Sequence, residues 1–322
     1  MKRIISQLGV DLGTTRLRVA LSETDGSKSR IAAVAVRDIA AGSSSSGEIP
    51  EPDYVAALLE ETVAELGTRA RRCICAIGEP DATLRSIVLP PMTAPERIRV
   101  ARFEAQRYAA FPLDEAAVRI YPAGPHLPGV HALGIARAAA LASRAGVLRA
   151  AGLKAIAMDH EACAFARLFG TFDAVVDVGH RRSSLHVFES GIPSTLHVDS
   201  GGAEITRGIE RDLSIDERSA EKRKRILGTV GAGETARLQL AADIASLIET
   251  ARNRRARLGH IALVGNGARL PGLAADIESA TGAIVELPAS DALRGAYPDD
   301  VLRASAPDWS LASGLALWGL AA

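Results

Sequence analysis

Two short segments of this 322-residue chain end an apolar run in the same way. Val10-Asp11-Leu12-Gly13 leads into Thr14 and Thr15, and Val176-Asp177-Val178-Gly179 leads into His180, Arg181, Arg182, Ser183 and Ser184. In each, an aspartate closes a strand-like run, a glycine permits a sharp reversal, and an alternating run resumes: Leu17, Val19 and Leu21, then Leu185 and Val187. A carboxylate beside a tight turn of exposed amides suits a cation and a phosphate together. Gly13, Thr14 and Thr15 supply amides and two hydroxyls for phosphate oxygens. Asp11 and Asp177, facing each other across a cleft, would hold a hydrated Mg²⁺. One Asp-x-Gly is an ordinary hairpin turn; two copies about half a chain apart mark a duplicated unit.

A third element lies in the second half. Ile261 to Val264 is apolar, followed by Gly265, Asn266, Gly267, Arg269 and, after Pro271, Gly272 before a helical pattern. Closely spaced glycines between strand and helix let a ligand approach the backbone and the helix N-terminus. A dinucleotide fingerprint would need its last glycine earlier and a unit of that type at the start of the chain. No residue presents itself as a general base; Glu161 opens a helix, where an acid compensates the helix dipole.

These groups need elements to place them. The spacing predicts strands at Ile4 to Asp11, Leu17 to Leu21, Ile31 to Val36 and Arg72 to Ile77, with a helix from Asp53 to Leu66. The serine tract between Gly42 and Gly47 reads as a loop. Further strands are expected at Arg85 to Leu89, Val118 to Tyr121 and Val130 to Ile135, around a helix capped by Thr93 with Glu96 reaching back. Helix Ala136 to Ala150, strand Leu153 to Ala157 and helix Asp159 to Leu168 complete the first half.

The 38 basic and 38 acidic side chains cancel, which argues against a surface built for nucleic acid or anionic lipid. Hydrophobic residues at 48% exclude wholesale disorder. No run approaches the roughly 20 apolar residues of a membrane-spanning helix, and the N-terminus lacks a signal-peptide core, so a cytoplasmic location is expected. Cys73, Cys75 and Cys163 read as buried thiols.

In their order, Gly9 to Thr15, Asp177 to Gly179 and Leu263 to Gly272 resemble the two phosphate motifs and the adenosine motif of the actin-like ATPase superfamily. Within it the chain resembles the PilM family of type IV pilus assembly over nearly its whole length. Leu89 to Met92, Glu104 to Tyr108 and Phe111 to Glu115 look like that family's inserted subdomain. Ala151 to Lys154, Asp159 to Ala162 and Ala312 to Leu317 are family-like as well.

The resemblance implies a duplicated ribonuclease H-like α/β fold of two lobes. The first would span 1–170, with an inserted α+β subdomain at about 82–136 and a closing helix at 308–322 packing back on it. The second would span 171–307, with a small subdomain at about 206–257. ATP and Mg²⁺ are the implied cofactors. Their site would take in Asp11, Gly13, Thr14, Thr15, Asp177, Gly179, Gly201, Gly202, Gly265, Asn266, Gly267 and Arg269, with Glu221 on the ribose and Lys224 on the base. Asp11 and Asp177 would serve the metal. The implied role is a cytoplasmic scaffold of a type IV pilus or type II secretion-like inner-membrane complex, with at most weak ATPase activity. It would dock the cytoplasmic N-terminal tail of a PilN-type membrane protein between the first lobe and the insert. It would reach the membrane only through that partner, and homo-oligomerisation also fits.

One segment departs from the family. His180-Arg181-Arg182 stand where small and hydroxyl residues are usual. The two arginines either contact phosphate or crowd the loop and point to solvent. Arg252 to Arg257 read as solvated surface. Two other readings remain: a filament-forming protein like FtsA, which ends in a membrane helix after a linker, and a sugar-kinase-type phosphotransferase, which needs a catalytic aspartate over its acceptor.

Overall fold

The computed structural model describes residues 5–320 apart from 27, 41, 43–46, 125, 189–190, 255 and 289–306. The expected strand start at Ile4, Ser43 to Ser46 of the serine tract, and the last two residues of the closing helix lie outside the described residues.

Three antiparallel strands open the chain: β1 (Ile5–Leu12), β2 (Arg16–Thr24) and β3 (Ser29–Asp38). β4 (Arg72–Ile77) adds parallel to β1, and β8 (Lys154–His160) parallel to β4, giving the order β3-β2-β1-β4-β8. The second half repeats this. β9 (Ala174–Val178), β10 (Ser183–Val187) and β11 (Ser194–Val198) are antiparallel, and β12 (His260–Val264) and β13 (Ile284–Glu286) add in parallel. The order is β11-β10-β9-β12-β13. Each Asp-x-Gly therefore sits at the carboxyl end of a central strand, where an open sheet has its binding crevice.

A third sheet, of order β5-β7-β6, is built from β5 (Ala82–Val88), β6 (Ala116–Pro122) and β7 (Val130–Arg137). Helix α2 (Ala94–Ala105) packs on it through Ala101 and Ala105 and opens with the expected Thr93–Glu96 capping box. On the first sheet, α1 (Pro52–Glu65) and α3 (Ala138–Ala150) bury Leu59, Val63, Val147 and Leu148 against Leu8 and Val10. On the second, α5 (Gly202–Leu213), α6 (Glu217–Leu227), α7 (Glu234–Asn253) and α8 (Leu273–Thr281) close over Val176, Leu185 and Leu263.

A separate core joins the halves. Helix α4 (Glu161–Phe169) and helix α9 (Ser310–Ala316) bring Phe165, Phe169, Leu311 and Leu315 together with Ile74 of β4 and Val175 and Val264 of the second sheet. Polar side chains fix α9 to the first sheet. Gln7 donates to the carbonyls of Ala316 and Trp318 at 2.9 and 2.7 Å, and Ser22 to Ala316 at 2.6 Å, satisfying the open end of a helix that is wholly buried. Gly9 belongs to this packing. A Cβ there would stand 2.0 Å from the Ala312 carbonyl, and one at Gly314 would stand 2.2 Å from that of Ala164.

Some readings are corrected. The helix expected from Asp159 begins at Glu161, because Asp159 and His160 remain in β8 and His160 Nδ1 accepts the Ala162 amide at 3.2 Å as the cap. Arg252 is not simply solvated: it donates to the Leu258 and Thr281 carbonyls, both at 2.7 Å, tying α7 to the end of α8. β11 and the 20-residue α7 are additions to the expected elements, although Leu240, Ile244, Ile248 and Ala251 of α7 fall at helical spacing.

Gly9→Val and Gly314→Val should each destabilise the fold by about 1–3 kcal/mol or more, since the clash is with backbone that cannot rotate away. Urea unfolding would check this, with Gly134→Val, where a Cβ meets only one atom at 4.0 Å, as the comparison.

Candidate functional site

The two Asp-x-Gly turns open onto one cavity of about 870 Å³. Asp11, Gly13, Thr14, Thr15, Asp177, Gly179, Gly265 and Asn266 all line it. A second cavity of about 410 Å³ adjoins it and shares Thr15, Arg16, Gly179, His180, Asn266 and Asp308. Gly202, Glu221, Lys224, Gly267 and Arg269 line this one, with Ile226, Leu270 and Pro271 as apolar walls. Of the fourteen residues expected from sequence, Gly201 alone lines neither cavity. A Cβ on Gly201 would meet the Gly179 and His180 carbonyls at 2.7 and 2.9 Å, so it lets α5 approach the second turn. The first amides of α5 serve that turn too: Gly202 donates to Gly179 at 2.9 Å and Ala203 to His180 at 2.7 Å.

The glycines of the third motif also have packing reasons. A Cβ at Gly265, whose φ is +83°, would lie 2.2 Å from Asp177 Oδ1, and one at Gly267 2.2 Å from Val178 Cγ1. The turn after β12 is thus folded onto the strand that carries Asp177.

Asp11 is not bare. It stands opposite Arg18 in the β1–β2 register, and Arg18 Nη1 donates to its carboxylate at 3.0 Å while Nη2 reaches Asn266 Oδ1 at 2.6 Å. Both Asp11 and Arg18 are buried. Burial raises the Asp11 pKa, and the Arg18 charge and hydrogen bond oppose the rise. Asp177 is pushed up to about 6, first by burial and then by Asp11, with Arg18 pulling the other way. Arg18 is not among the residues expected from sequence; its place seven residues after the aspartate, across a tight hairpin, is the local signal for this pairing.

Glu161 is the other side chain whose setting the sequence did not reveal. It lies in the first turn of α4, as expected, and also lines the large cavity, with its carboxyl group against Gly78, where a Cβ would stand 2.3 Å from Oε2. Burial, then Asp177 and Asp11, push its pKa up to about 8 against the pull of Arg144 and Arg182. That shift favours the protonated form over the ionised one that a general base needs.

At the smaller cavity, Glu221 Oε2 accepts from Thr206 at 2.7 Å and lies 2.6 Å from Lys224 Nζ. Arg225 holds Oε1 at 3.0 Å. Burial would raise Glu221, but Lys224, Thr206 and Arg225 outweigh it and bring the pKa down to about 2. Lys224 also donates to the Gly202 carbonyl and to Thr206, both at 2.8 Å.

The two arginines of the unusual turn have different settings. Arg182 is a bridge. Its Nε and Nη2 donate to Asp199 Oδ1 at 2.9 and 2.7 Å, while Nη1 crosses the cleft to the Glu79 carbonyl at 2.6 Å. Glu79 leads through Asp81 into β5, and Asp81 is itself held by Arg144 at 3.2 Å. Arg181 is exposed and lines the large cavity.

The donor set fits a hydrated divalent cation rather than a protein cage. Three carboxyl groups with raised pKa values meet in one cavity. Yet among the described residues no group of three or more His, Cys, Asp or Glu side chains is arranged to hold a metal ion directly. Mg²⁺, which keeps several waters and takes phosphate oxygens, matches that arrangement.

A family model for the type IV pilus assembly protein PilM matches residues 9–320. A solved chain from the PilM-PilN type IV pilus biogenesis complex is 25% identical with a TM-score of 0.86, covering 99% of both chains. The ethanolamine utilization protein EutJ from Carboxydothermus hydrogenoformans shares the fold at 18% identity, with a TM-score of 0.63 over 98% of this chain and 90% of its own. A search of curated proteins finds no match.

Two outcomes follow from the charges. Glu161 and Asp177 have raised folded-state pKa values, so their protonated forms favour folding at low pH, and that contribution is lost as pH rises through about 6 and about 8. Denaturant unfolding should give stability that falls from about pH 5 to about pH 8 and then levels, no steeper than about 1.4 kcal/mol per pH unit for one proton, and Glu161→Gln should flatten the part above about pH 6. Arg182→Ser should lower stability by about 1.5–3 kcal/mol, as expected for a charge-assisted hydrogen bond. It should also speed hydrogen exchange at the Asp81 and Ala82 amides, which follow Glu79.

Proposed function

The chain belongs to the family of the type IV pilus assembly protein PilM, and from that membership we propose that it is an ATP-binding scaffold which docks the tail of a PilN-type membrane protein. The observation that carries the nucleotide part is the meeting of both Asp-x-Gly turns in one cavity, with an apolar-walled second cavity adjoining it. The phosphates would lie between Gly13 to Thr15 and the turn at Gly179. The nucleoside would lie in the smaller cavity, its base against Ile226, Leu270 and Pro271 and its ribose beside Glu221. Asp11 and Asp177 would hold hydrated Mg²⁺ through its waters, and the ion would offset the charge of the phosphates.

Binding rather than turnover is the reading the site favours. Burial and the neighbouring Asp177 and Asp11 carboxyl groups raise the Glu161 pKa, which disfavours the ionised form that a general base needs. The scaffold role follows from the family. A PilN-type partner is supported by the similar chain, which belongs to a complex of PilM with PilN. The docking groove we assign to the junction of the first sheet and the β5-β7-β6 insert. Among the described residues no helix is long and apolar enough to cross a membrane. Attachment to the inner membrane would come through the partner.

Nucleotide would act by shifting the angle between the halves, which requires the tail to bind one nucleotide state more tightly than another. Titration of the protein with Mg²⁺-ATP should give micromolar or tighter affinity, lowered at least about tenfold in Asp177→Asn, the loss of one charged ligand interaction. A peptide of the PilN-type N-terminal tail should bind with affinities that differ between the ATP, ADP and nucleotide-free states. Equal affinity in all three would remove the switch, and failure of ATP to bind at all would remove the nucleotide site.

A further inference from the structure

Eight lysine and arginine side chains line the two adjoining cavities. Seven have carboxylate partners: Arg16 with Asp38, Arg18 with Asp11, Arg182 with Asp199, Arg207 with Glu204, Lys224 and Arg225 with Glu221, and Arg269 with Asp308. Arg181 is the eighth, and among the described residues it has none. Its backbone, in contrast, is tightly held. The Gly179 amide donates to the Arg182 carbonyl at 2.9 Å, the carbonyls of Gly179 and His180 receive the first amides of α5, and Arg182 is anchored on both sides of the cleft. A fixed turn thus presents one uncommitted guanidinium to the cleft.

We propose that Arg181 is a ligand for the terminal phosphate of a nucleoside triphosphate and that it sets a preference for triphosphate over diphosphate. The inference rests on the nucleotide-binding reading above. Position supports it: Gly179 and His180 line both cavities, but Arg181 and Arg182 line only the larger. In the nucleotide-binding reading, Arg181 thus lies on the phosphate side of this turn and away from the nucleoside cavity, where a terminal phosphate would be in reach.

Charge supports it as well. A triphosphate brings about four negative charges into a cleft that already holds Asp11, Asp177 and Glu161, and Mg²⁺ offsets only two of them. Arg18 is already matched to Asp11, and Arg182 to Asp199. The planar fork of an arginine takes two phosphate oxygens at once, and a diphosphate that ends one group earlier does not present them. The hydroxyl residues usual at this turn make no such charge-based distinction.

The experiment titrates the full chain, in Mg²⁺, with a non-hydrolysable ATP analogue and with ADP, by calorimetry. Arg181→Ser, at an exposed position that should leave folding intact, is expected to weaken the triphosphate about tenfold or more and to change ADP by less than about twofold, the selective loss of one charge-assisted contact. Arg181→Lys should fall between, keeping the charge without the fork. Inorganic triphosphate as a third ligand should show the same dependence if the contact is to phosphate alone. An unchanged ratio of triphosphate to diphosphate affinity in Arg181→Ser overturns the proposal while leaving the nucleotide site standing. Wild-type protein that binds no nucleotide overturns both.

Discussion

Three carboxyl groups from distant parts of the chain line one cleft, and the rest of the site is arranged around keeping them there. Asp11, Asp177 and Glu161 each have their ionised forms disfavoured by burial, and each added negative charge makes the next harder to create. Arg18 is set against this at both aspartates, and Arg144 and Arg182 at Glu161. Arg18 reaches Asp11 from the neighbouring strand and Asn266 from the other half of the molecule. A cation placed among these carboxyl groups would favour their ionised forms. That is the physical basis for reading the cleft as a Mg²⁺-nucleotide site.

The fold makes this concentration possible by duplication and close approach. Two sheets of the same order direct the carboxyl ends of β1 and β9 toward a common opening, and the α4–α9 core holds the halves together behind it. Close approach depends on glycine at particular places. Gly265 gives room to the Asp177 carboxylate, Gly78 to that of Glu161, and Gly9 to the backbone of α9. A side chain at any of these would separate the groups whose nearness gives the cleft its character.

The second turn links the cleft to the insert. Through Arg182, the segment after Asp177 bonds to the Glu79 carbonyl, three residues before β5 begins. A change in lobe angle on ligand binding must break that bond or carry the root of the insert with it. Arg182 thus links the cleft physically to the root of the insert, through one side chain and a short turn. That link also accounts for an arginine where the resemblance would place a small or hydroxyl residue.

Much of this was open to reading from the chain alone, for a physical reason. Turn chemistry, capping and hydrophobic period act over a few residues, so the repeated Asp-x-Gly strand ends, the Thr93–Glu96 cap, and strands such as Arg72 to Ile77 are written locally. The repeat at half-chain spacing then gave the two-lobe architecture and, with the family resemblance, the nucleotide motifs. Partnerships across the cleft were not written in this way. Whether Glu161 served a helix dipole or faced two aspartates, and whether Arg182 pointed to solvent or to Glu79, depended on how two rigid halves seat on the α4–α9 core. Residues a hundred positions apart, as Glu79 and Arg182 are, meet only through that seating, and no local window of sequence specifies it.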